Sequence, residues 1–186
     1  MAYLKEKVNV PYEIFTTDAD YKYCAELTYD VSKIAPQVAA PFSVDNVFDL
    51  AEYEGTPIDE AYLGSCTGGR LQDIAVAAKI LEGKHIPRSC RFIVVPASRY
   101  VLDDAIKAGY ISTLLAAGAT LTAPGCAACL GVHQGMLTAG ETVISSTNRN
   151  FPGRMGHVEG RIYLASPAAV AASALEGKIT DPRKYL

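Results

Sequence analysis

Three cysteines and two arginines stand in short, glycine-rich stretches of the chain. Cys66 lies in Gly64-Ser-Cys-Thr-Gly-Gly69, and Cys126 and Cys129 form a Cys-Ala-Ala-Cys pair. Small neighbours let the backbone approach a bulky inorganic group, and N–H groups at helix starts can donate to its sulfurs. Three thiolates are one fewer than an electron-transfer iron–sulfur cluster normally takes. One hypothesis is therefore a cluster with one iron left open to act as a Lewis acid.

The same three cysteines are compatible with other chemistry. A Cys-x-x-Cys spacing is also found in redox pairs and in half of a zinc site, and Cys66 with His133 could supply the other two zinc ligands. Spacing alone does not distinguish four interpretations of these cysteines, namely a cluster, a zinc site, a redox pair and no role. Cys24 and Cys90 lie outside any motif, and we expect both to be small buried packing residues.

The two arginines stand at Arg149 and Arg154 in Thr147-Asn-Arg-Asn-Phe-Pro-Gly-Arg154. Arginine forks bind carboxylates bidentately, and a Pro-Gly turn could aim both at one anion. Taken without the cysteines, an exposed loop with solvated charges is the better interpretation, because surface arginines are common. The basic, glycine-rich stretch Gly64–Arg70 lacks the spacing of a nucleotide-binding phosphate loop.

Composition indicates one α/β domain. The 186 residues are 49% hydrophobic and 20% charged, with a formal net charge of −3. No basic stripe indicates nucleic acid, and the apolar runs are too short for a membrane span. The first residues lack a signal-peptide core, and five cysteines are an odd number for a disulfide framework. We therefore expect a cytoplasmic protein that contacts neither nucleic acid nor membrane.

Strands and helices alternate from about residue 60. We expect a single domain over 1–186, with an irregular lead-in over 1–60 and an α/β core over 61–180. The lead-in contains Ala25–Val31, which alternates like a half-buried strand, and the turn-rich Pro36–Asn46. The predicted core strands are 59–63, 92–96, 120–123, 142–146 and 161–165, and the predicted helices are 71–81, 98–108, 111–117 and 167–176.

Such alternation predicts a three-layer α/β/α fold with a mainly parallel sheet and helices on both faces. In these sheets ligands collect at the carboxyl ends of the strands. Three loops qualify, namely Gly64–Gly69, Pro124–Gly131 and Thr147–Arg154, because each follows a predicted strand. We therefore expect them to converge on one edge of the sheet.

The three sequence blocks around these loops, in this order, resemble the signature blocks of the aconitase superfamily. The resemblance is closest to the third, C-terminal domain of 3-isopropylmalate dehydratase and homoaconitase large subunits. Pro36-Gln-Val-Ala-Ala-Pro41 and the tail Tyr163–Gly177 also look like that subunit. The resemblance covers nearly the whole chain, and it implies the aconitase iron–sulfur type of α/β fold.

The resemblance implies a role for each matching residue. Cys66, Cys126 and Cys129 match the ligands of a [4Fe–4S] cluster, and the residues that match the family's substrate site are Asn148, Arg149 and Arg154. The implied reaction removes and re-adds water on a hydroxy di- or tricarboxylic acid, as in leucine biosynthesis. The substrate's hydroxyl and carboxylate would bind the open iron of the cluster.

Two departures from the family pattern stand out. Gly68 occupies a position where family members often have asparagine. In addition, the family's large subunit has N-terminal domains with further active-site residues, and its base lies on a small subunit or swivelling domain. We therefore expect no catalytic base in this chain, partners in those domains and that small subunit, and no turnover by the chain alone.

Overall fold

A single mainly parallel sheet organises residues 35–186. The structure is a computed structural model that describes residues 4, 5 and 8–186. The strands are β1 Gln37–Ala39, β2 Val47–Asp49, β3 Glu60–Gly64, β4 Arg91–Val95, β5 Thr120–Leu121, β6 Thr142–Ser145 and β7 Arg161–Ala165. The α-helices of this unit are α1 Leu71–Leu81, α2 Arg99–Lys107, α3 Tyr110–Ala116 and α4 Pro167–Glu176. None of the helices in the described part of the chain could cross a bilayer.

The strand order is β2-β1-β7-β6-β3-β4-β5. Strands β3 to β7 run parallel, whereas β1 pairs antiparallel with both β7 and β2. The chain moves one way along the sheet from β3 through β4 to β5. It then returns to β6, on the other side of β3, and continues away to β7. The direction of the winding therefore reverses between β3 and β6.

This reversal decides which face each connection covers. Crossovers between parallel strands are right-handed, so connections that run in opposite directions along a sheet lie on opposite faces. Ala61 and Leu63 of β3 pack in the core beneath α1 to α4. Tyr62, between them, packs on the other face with Cys129 and Met155. The connections 122–141 and 146–160 therefore form the second outer layer.

The predicted α/β class with its mainly parallel sheet is confirmed, and the structure refines the layers. The second outer layer consists of loops and the 3-10 helix Ala127–Leu130 rather than long helices. The helices begin and end where sequence signals predict. Ser98 Oγ accepts from Val101 N at 3.3 Å at the start of α2. Ser166 caps α4 in the same way, with Pro167 in its first turn.

The described residues up to Ile34 form a separate unit by their contacts. The strand predicted over Ala25–Val31 is wrong, because those residues are exposed and make no strand pairing, and Val31 begins the 3-10 helix Val31–Lys33. Alternation alone does not make a strand unless one face has a core to cover. Cys24 is exposed here, so the prediction that it is buried is also wrong, whereas Cys90 is buried as expected. The turn-rich Pro36–Asn46 instead contains β1, which sequence reading missed.

An ion-pair network lies at the amino-terminal ends of β3 and β4. Glu60 is fully buried, and its Oε2 accepts from Arg91 Nε at 3.0 Å. Arg91 also binds Glu141 through two hydrogen bonds of 2.8 and 3.1 Å. Glu60 Oε1 is buried without a hydrogen-bond partner. Burial raises the pKa of Glu60 to about 7, against the opposing effect of the Arg91 charge.

The raised pKa of Glu60 predicts a pH-dependent stability. The carboxyl keeps a proton in the folded state between its ordinary pKa of 4.5 and about 7, where the unfolded chain has released it. The free energy of unfolding should therefore fall by about 2–3 kcal/mol as the pH rises through this window. Glu60→Gln should remove this slope, and Glu82→Gln, at an exposed glutamate, should leave it in place. Urea denaturation at pH 5.5 and 8 measures how much the free energy of unfolding changes with pH. The same change in wild type, Glu60→Gln and Glu82→Gln would contradict the assignment of this pH dependence to Glu60.

Candidate functional site

The candidate site lies where the winding reverses. The first cysteine loop (Gly64–Gly69) follows β3, the second cysteine loop (Pro124–Gly131) follows β5, and the arginine loop (Thr147–Arg154) follows β6. These strands are parallel, so the three loops leave the sheet at its carboxyl edge. Strands β3 and β6 are neighbours from which the chain winds in opposite directions. Parallel sheets bind their ligands at the carboxyl ends of the strands beside such a switch point.

Glycine is required where the backbone of the first cysteine loop packs closely against the end of β4. Gly64 has a φ of +103°, and a Cβ there would lie 2.1 Å from the carbonyl oxygen of Val95. The Cβ of a residue at Gly69 would lie 2.6 Å from the same oxygen. Ser65 N donates to Val95 O at 3.0 Å. This close packing leaves Cys66 exposed at the tip of the loop.

Ser146 joins the first cysteine loop to the end of β6. Its buried hydroxyl accepts from Gly64 N at 2.8 Å and donates to Gly68 O at 3.1 Å. Gly68 has a φ of +67°, and a Cβ there would lie 2.4 to 2.6 Å from three atoms of Ser146. The glycine that departs from the family pattern is therefore the residue that fits against Ser146.

The second cysteine loop covers the helix-poor face of the sheet. Its 3-10 helix buries Cys129, while Cys126 remains exposed. Tyr62, fully buried in β3, donates from its hydroxyl to Cys126 O at 3.4 Å. Burial raises the pKa of Tyr62, so the phenol stays a hydrogen-bond donor. Tyr62 therefore supports the cysteine pair from the sheet.

The arginine loop meets the second cysteine loop directly. Arg154 Nη2 donates to Cys129 Sγ at 3.7 Å, and the guanidinium lies 5.6 Å from the ring centre of Phe151. A Cβ at Gly131 would lie 3.3 Å from Arg154 O, so the two backbones are also close. Arg149 is exposed beside Asn148, and its Nη1 donates to Asn148 O at 2.8 Å.

The structure brings some of the predicted site residues together and leaves others apart. Arg154 and Cys129 are in contact, and Ser146 holds the loop of Cys66 beside the arginine loop. However, within residues 4, 5 and 8–186 no three cysteine, histidine or carboxylate side chains are close enough to hold one metal ion. The zinc set of three cysteines and His133 is therefore not assembled. The protein ligands of an iron–sulfur cluster bind different irons, so the distances that a single ion requires do not apply to them.

Several features of the loops fit an anionic cluster and an anionic substrate. Ser65 Oγ and Arg154 Nε are buried polar atoms without a hydrogen-bond partner. Both can donate to a sulfide, a thiolate or a carboxylate. Small residues flank Cys66 and Cys126 in the sequence, and Ala128 precedes Cys129. The donor set, the small neighbours and the unused donors together suit such a group better than they suit a closed four-ligand zinc site.

Sequence reading missed two residues that shape the site. Tyr62 reads as one more apolar residue of a buried strand, and nothing in its surroundings marks its hydroxyl. Ser146 stands inside a recognised block, but its neighbour Gly68 is 78 residues away. Only the pairing of β3 with β6 shows that the two touch.

Comparison with known proteins agrees with this geometry. The family model described as the aconitase family (aconitate hydratase) matches residues 49–177. The chain belongs to the aconitase family. The matched residues include all three loops, and family membership implies an iron–sulfur cluster in the enzyme to which such a chain contributes.

Curated relatives of the family are similar over the whole chain. It is 50% identical over 186 residues to the 3-isopropylmalate dehydratase large subunit 1 of Methanopyrus kandleri, covering 100% of this chain and 44% of the relative. It is 53% identical over 182 residues to a probable methanogen homoaconitase large subunit of Methanosarcina mazei, covering 98% and 46%. For the 3-isopropylmalate dehydratase large subunit of Caldivirga maquilingensis the identity is 47% over 186 residues, covering 100% and 44%. The chain thus spans less than half the length of these relatives.

The contact between Gly68 and Ser146 predicts the effect of restoring the family's asparagine. Gly83 has nearly the same φ, +68°, but a Cβ there meets nothing within 4 Å. Asparagine tolerates this backbone conformation. Gly68→Asn should therefore reduce the free energy of unfolding by about 1–3 kcal/mol more than Gly83→Asn does, because only the first is overpacked. If urea denaturation gives the same loss of unfolding free energy for both variants, Ser146 can shift to accommodate the side chain and the prediction is wrong.

Proposed function

We propose that this chain is the cluster-binding and carboxylate-binding part of a hydro-lyase of the 3-isopropylmalate dehydratase type. Its substrate is a hydroxy di- or tricarboxylic acid. The observation that carries the proposal is the hydrogen bond from Arg154 to the thiol of Cys129. It joins an arginine suited to carboxylate binding to a cysteine suited to a cluster. The relatives named as dehydratase and homoaconitase large subunits support the reaction class.

In this proposal Cys66, Cys126 and Cys129 hold a [4Fe–4S] cluster. When bound with only three protein ligands, such a cluster supplies an iron that acts as a Lewis acid on a hydroxyl group. The chain contributes a dry floor beneath the second cysteine loop, where Tyr62 and Met155 are fully buried. It also contributes donors that offset negative charge, above all Arg154 with its buried Nε.

The arginine loop binds and orients the substrate. Arg149 is exposed and Arg154 is half-buried, so they can receive two carboxylates from different depths. Each guanidinium presents a planar fork that matches a carboxylate. Asn148, exposed beside Arg149, adds a neutral amide that can hydrogen-bond to a hydroxyl or carboxylate. These fixed donors stabilise the charge that develops as the hydroxyl group leaves.

The proton-abstracting base comes from outside these loops. None of the three loops contains an aspartate, glutamate, histidine, lysine or tyrosine. We therefore propose that a small subunit with a swivelling domain and the N-terminal region of a large subunit complete the site in the cytoplasm. On this proposal, the chain alone binds the cluster and carboxylates but does not turn over substrate.

The cysteine assignment predicts which substitutions abolish cluster binding. Anaerobic reconstitution of the 186-residue chain with iron and sulfide should give a brown protein with about four irons per chain. Cys66→Ser, Cys126→Ser and Cys129→Ser should each lose most iron and sulfide, because serine is a poorer ligand for iron than a thiolate. Cys24→Ser, at an exposed cysteine outside the loops, is the matched control.

The alternatives give distinct results in the same experiment. A colourless wild-type chain without iron or sulfide indicates a docking domain that holds no cluster alone. Stoichiometric zinc, or a reversible disulfide between Cys126 and Cys129, indicates the other two readings of the cysteine pair. Each of these outcomes contradicts the assignment of the cluster to this chain.

The arginine assignment predicts a change in substrate affinity. Lysine keeps the charge of Arg154 but loses the planar fork. In the enzyme assembled with its partners, Arg154→Lys should raise the KM for 3-isopropylmalate by about 10- to 100-fold, since a charge-assisted hydrogen bond contributes about 1.5–3 kcal/mol. Arg88→Lys, at an exposed arginine before β4, is the control. Unchanged KM in steady-state assays would remove Arg154 from the substrate site.

A further inference from the structure

Asn150 differs from the residues on either side of it in the arginine loop. Asn148 and Arg149 are exposed, whereas Asn150 is fully buried. Its side-chain nitrogen donates to Ala40 O at 2.8 Å and to Ser43 O at 3.1 Å. Both neighbours are carbonyl oxygens, which accept only, so the amide must present its NH₂ group to them. One side chain thus fastens the centre of the loop to a segment more than 100 residues earlier.

The segment that receives Asn150 is the connection Ala40–Asn46 between β1 and β2. It is closed by its own hydrogen bonds. Ala40 N donates to Asn46 O at 2.8 Å, and Asn46 N donates to Ser43 O at 3.2 Å. The Asn46 side chain donates to Pro41 O at 3.0 Å. The two carbonyl groups that Asn150 binds therefore belong to a segment whose own hydrogen bonds hold it in place without the arginine loop.

The arginine loop has little regular structure to fix it. Thr147 N bonds to Ser145 Oγ at its start, and Arg154 N bonds to Phe151 O near its end. Arg149 donates only to its neighbour Asn148 among the hydrogen bonds of the described residues. The contacts of Asn150 lie between these points and reach another part of the sheet. They therefore constrain the backbone from which the Arg149 and Arg154 side chains extend.

We propose that Asn150 is a positioning residue that clamps the arginine loop to the Ala40–Asn46 connection and so directs Arg149 and Arg154 toward the substrate carboxylates. This inference rests on the proposed function for its role in binding, but the clamp itself does not. The Oδ1 atom of Asn150 is buried without a partner. That unmet acceptor offsets part of the stability gained from the two hydrogen bonds, so the clamp contributes more to position than to stability.

Limited trypsin digestion of the 186-residue chain under native conditions tests the clamp. Trypsin cleaves after arginine, so Arg149 and Arg154 report on the mobility of their own loop. Asn150→Ala should increase the rate of cleavage at both bonds about tenfold, because loss of the two hydrogen bonds raises the open population by that order. Asn46→Ala loosens the receiving segment and leaves the cleavage sequence unchanged, so it should raise both rates as well.

The control is Ser173→Ala. Ser173 is fully buried in α4, and its Oγ accepts from Thr180 N at 3.0 Å, so its loss destabilises the chain away from the loop. Cleavage after Arg149 and Arg154 should stay within about twofold of wild type in this variant, since local opening is independent of the other face of the sheet. Cleavage rates that follow the melting temperature in all variants would overturn the clamp.

Kinetics in the enzyme assembled with its partners test the consequence for binding. Asn150→Ala should raise the KM for 3-isopropylmalate about tenfold while the iron and sulfide content stays at the wild-type level. A merely structural role would lower the active fraction, and hence kcat, without moving KM. That result would overturn the positioning role. If the wild-type enzyme turns over neither 3-isopropylmalate nor another hydroxy di- or tricarboxylic acid, the proposed function fails, and the trypsin experiment still decides the clamp.

Discussion

The reversal of winding between β3 and β6 is the constraint on which the rest of the structure depends. Right-handed crossovers send the connections of β3 and β4 over one face of the sheet and the connections of β5 and β6 over the other. The first face receives the α-helices. The second receives the loops with the cysteine pair and the arginines. The cysteine pair and the arginines of the proposed site therefore lie on the face that lacks long helices, next to the switch point at the carboxyl ends of β3 and β6.

Close backbone packing then fixes the positions of the three loops relative to one another. Gly64 and Gly69 press on the end of β4, Ser146 bonds to the first cysteine loop, and Gly131 lies against the backbone of Arg154. None of these contacts involves a side chain that carries the proposed chemistry. Cys66, Cys126 and Arg149 are left exposed, and two buried donors, Ser65 Oγ and Arg154 Nε, remain without partners. Contacts of the loop backbones thus stabilise the three loops, and the two unpartnered donors can hydrogen-bond to a ligand.

The sequence predicts much of this fold because its signals are local. Ser98 and Ser166 cap helices, and apolar β-branched runs such as Phe92–Pro96, where the structure has the strand Arg91–Val95, mark buried parallel strands. It does not predict β1, whose two core residues Val38 and Ala39 are too few for a periodic pattern. It also predicts a false strand at Ala25–Val31, where alternation has no core to face. The residues that hold the site, such as Tyr62 and Asn150, act through contacts across the sheet that no local pattern reveals.

The central claim is that three thiols of this chain hold a cluster with an open iron that binds a hydroxy acid. Mössbauer spectroscopy of the ⁵⁷Fe-reconstituted enzyme, recorded with and without 3-isopropylmalate, tests it most directly. About one iron in four should change its spectrum on addition of the acid, because only the iron without a protein ligand can accept it. A spectrum that is unchanged by the acid, or four irons that respond alike, would contradict the claim.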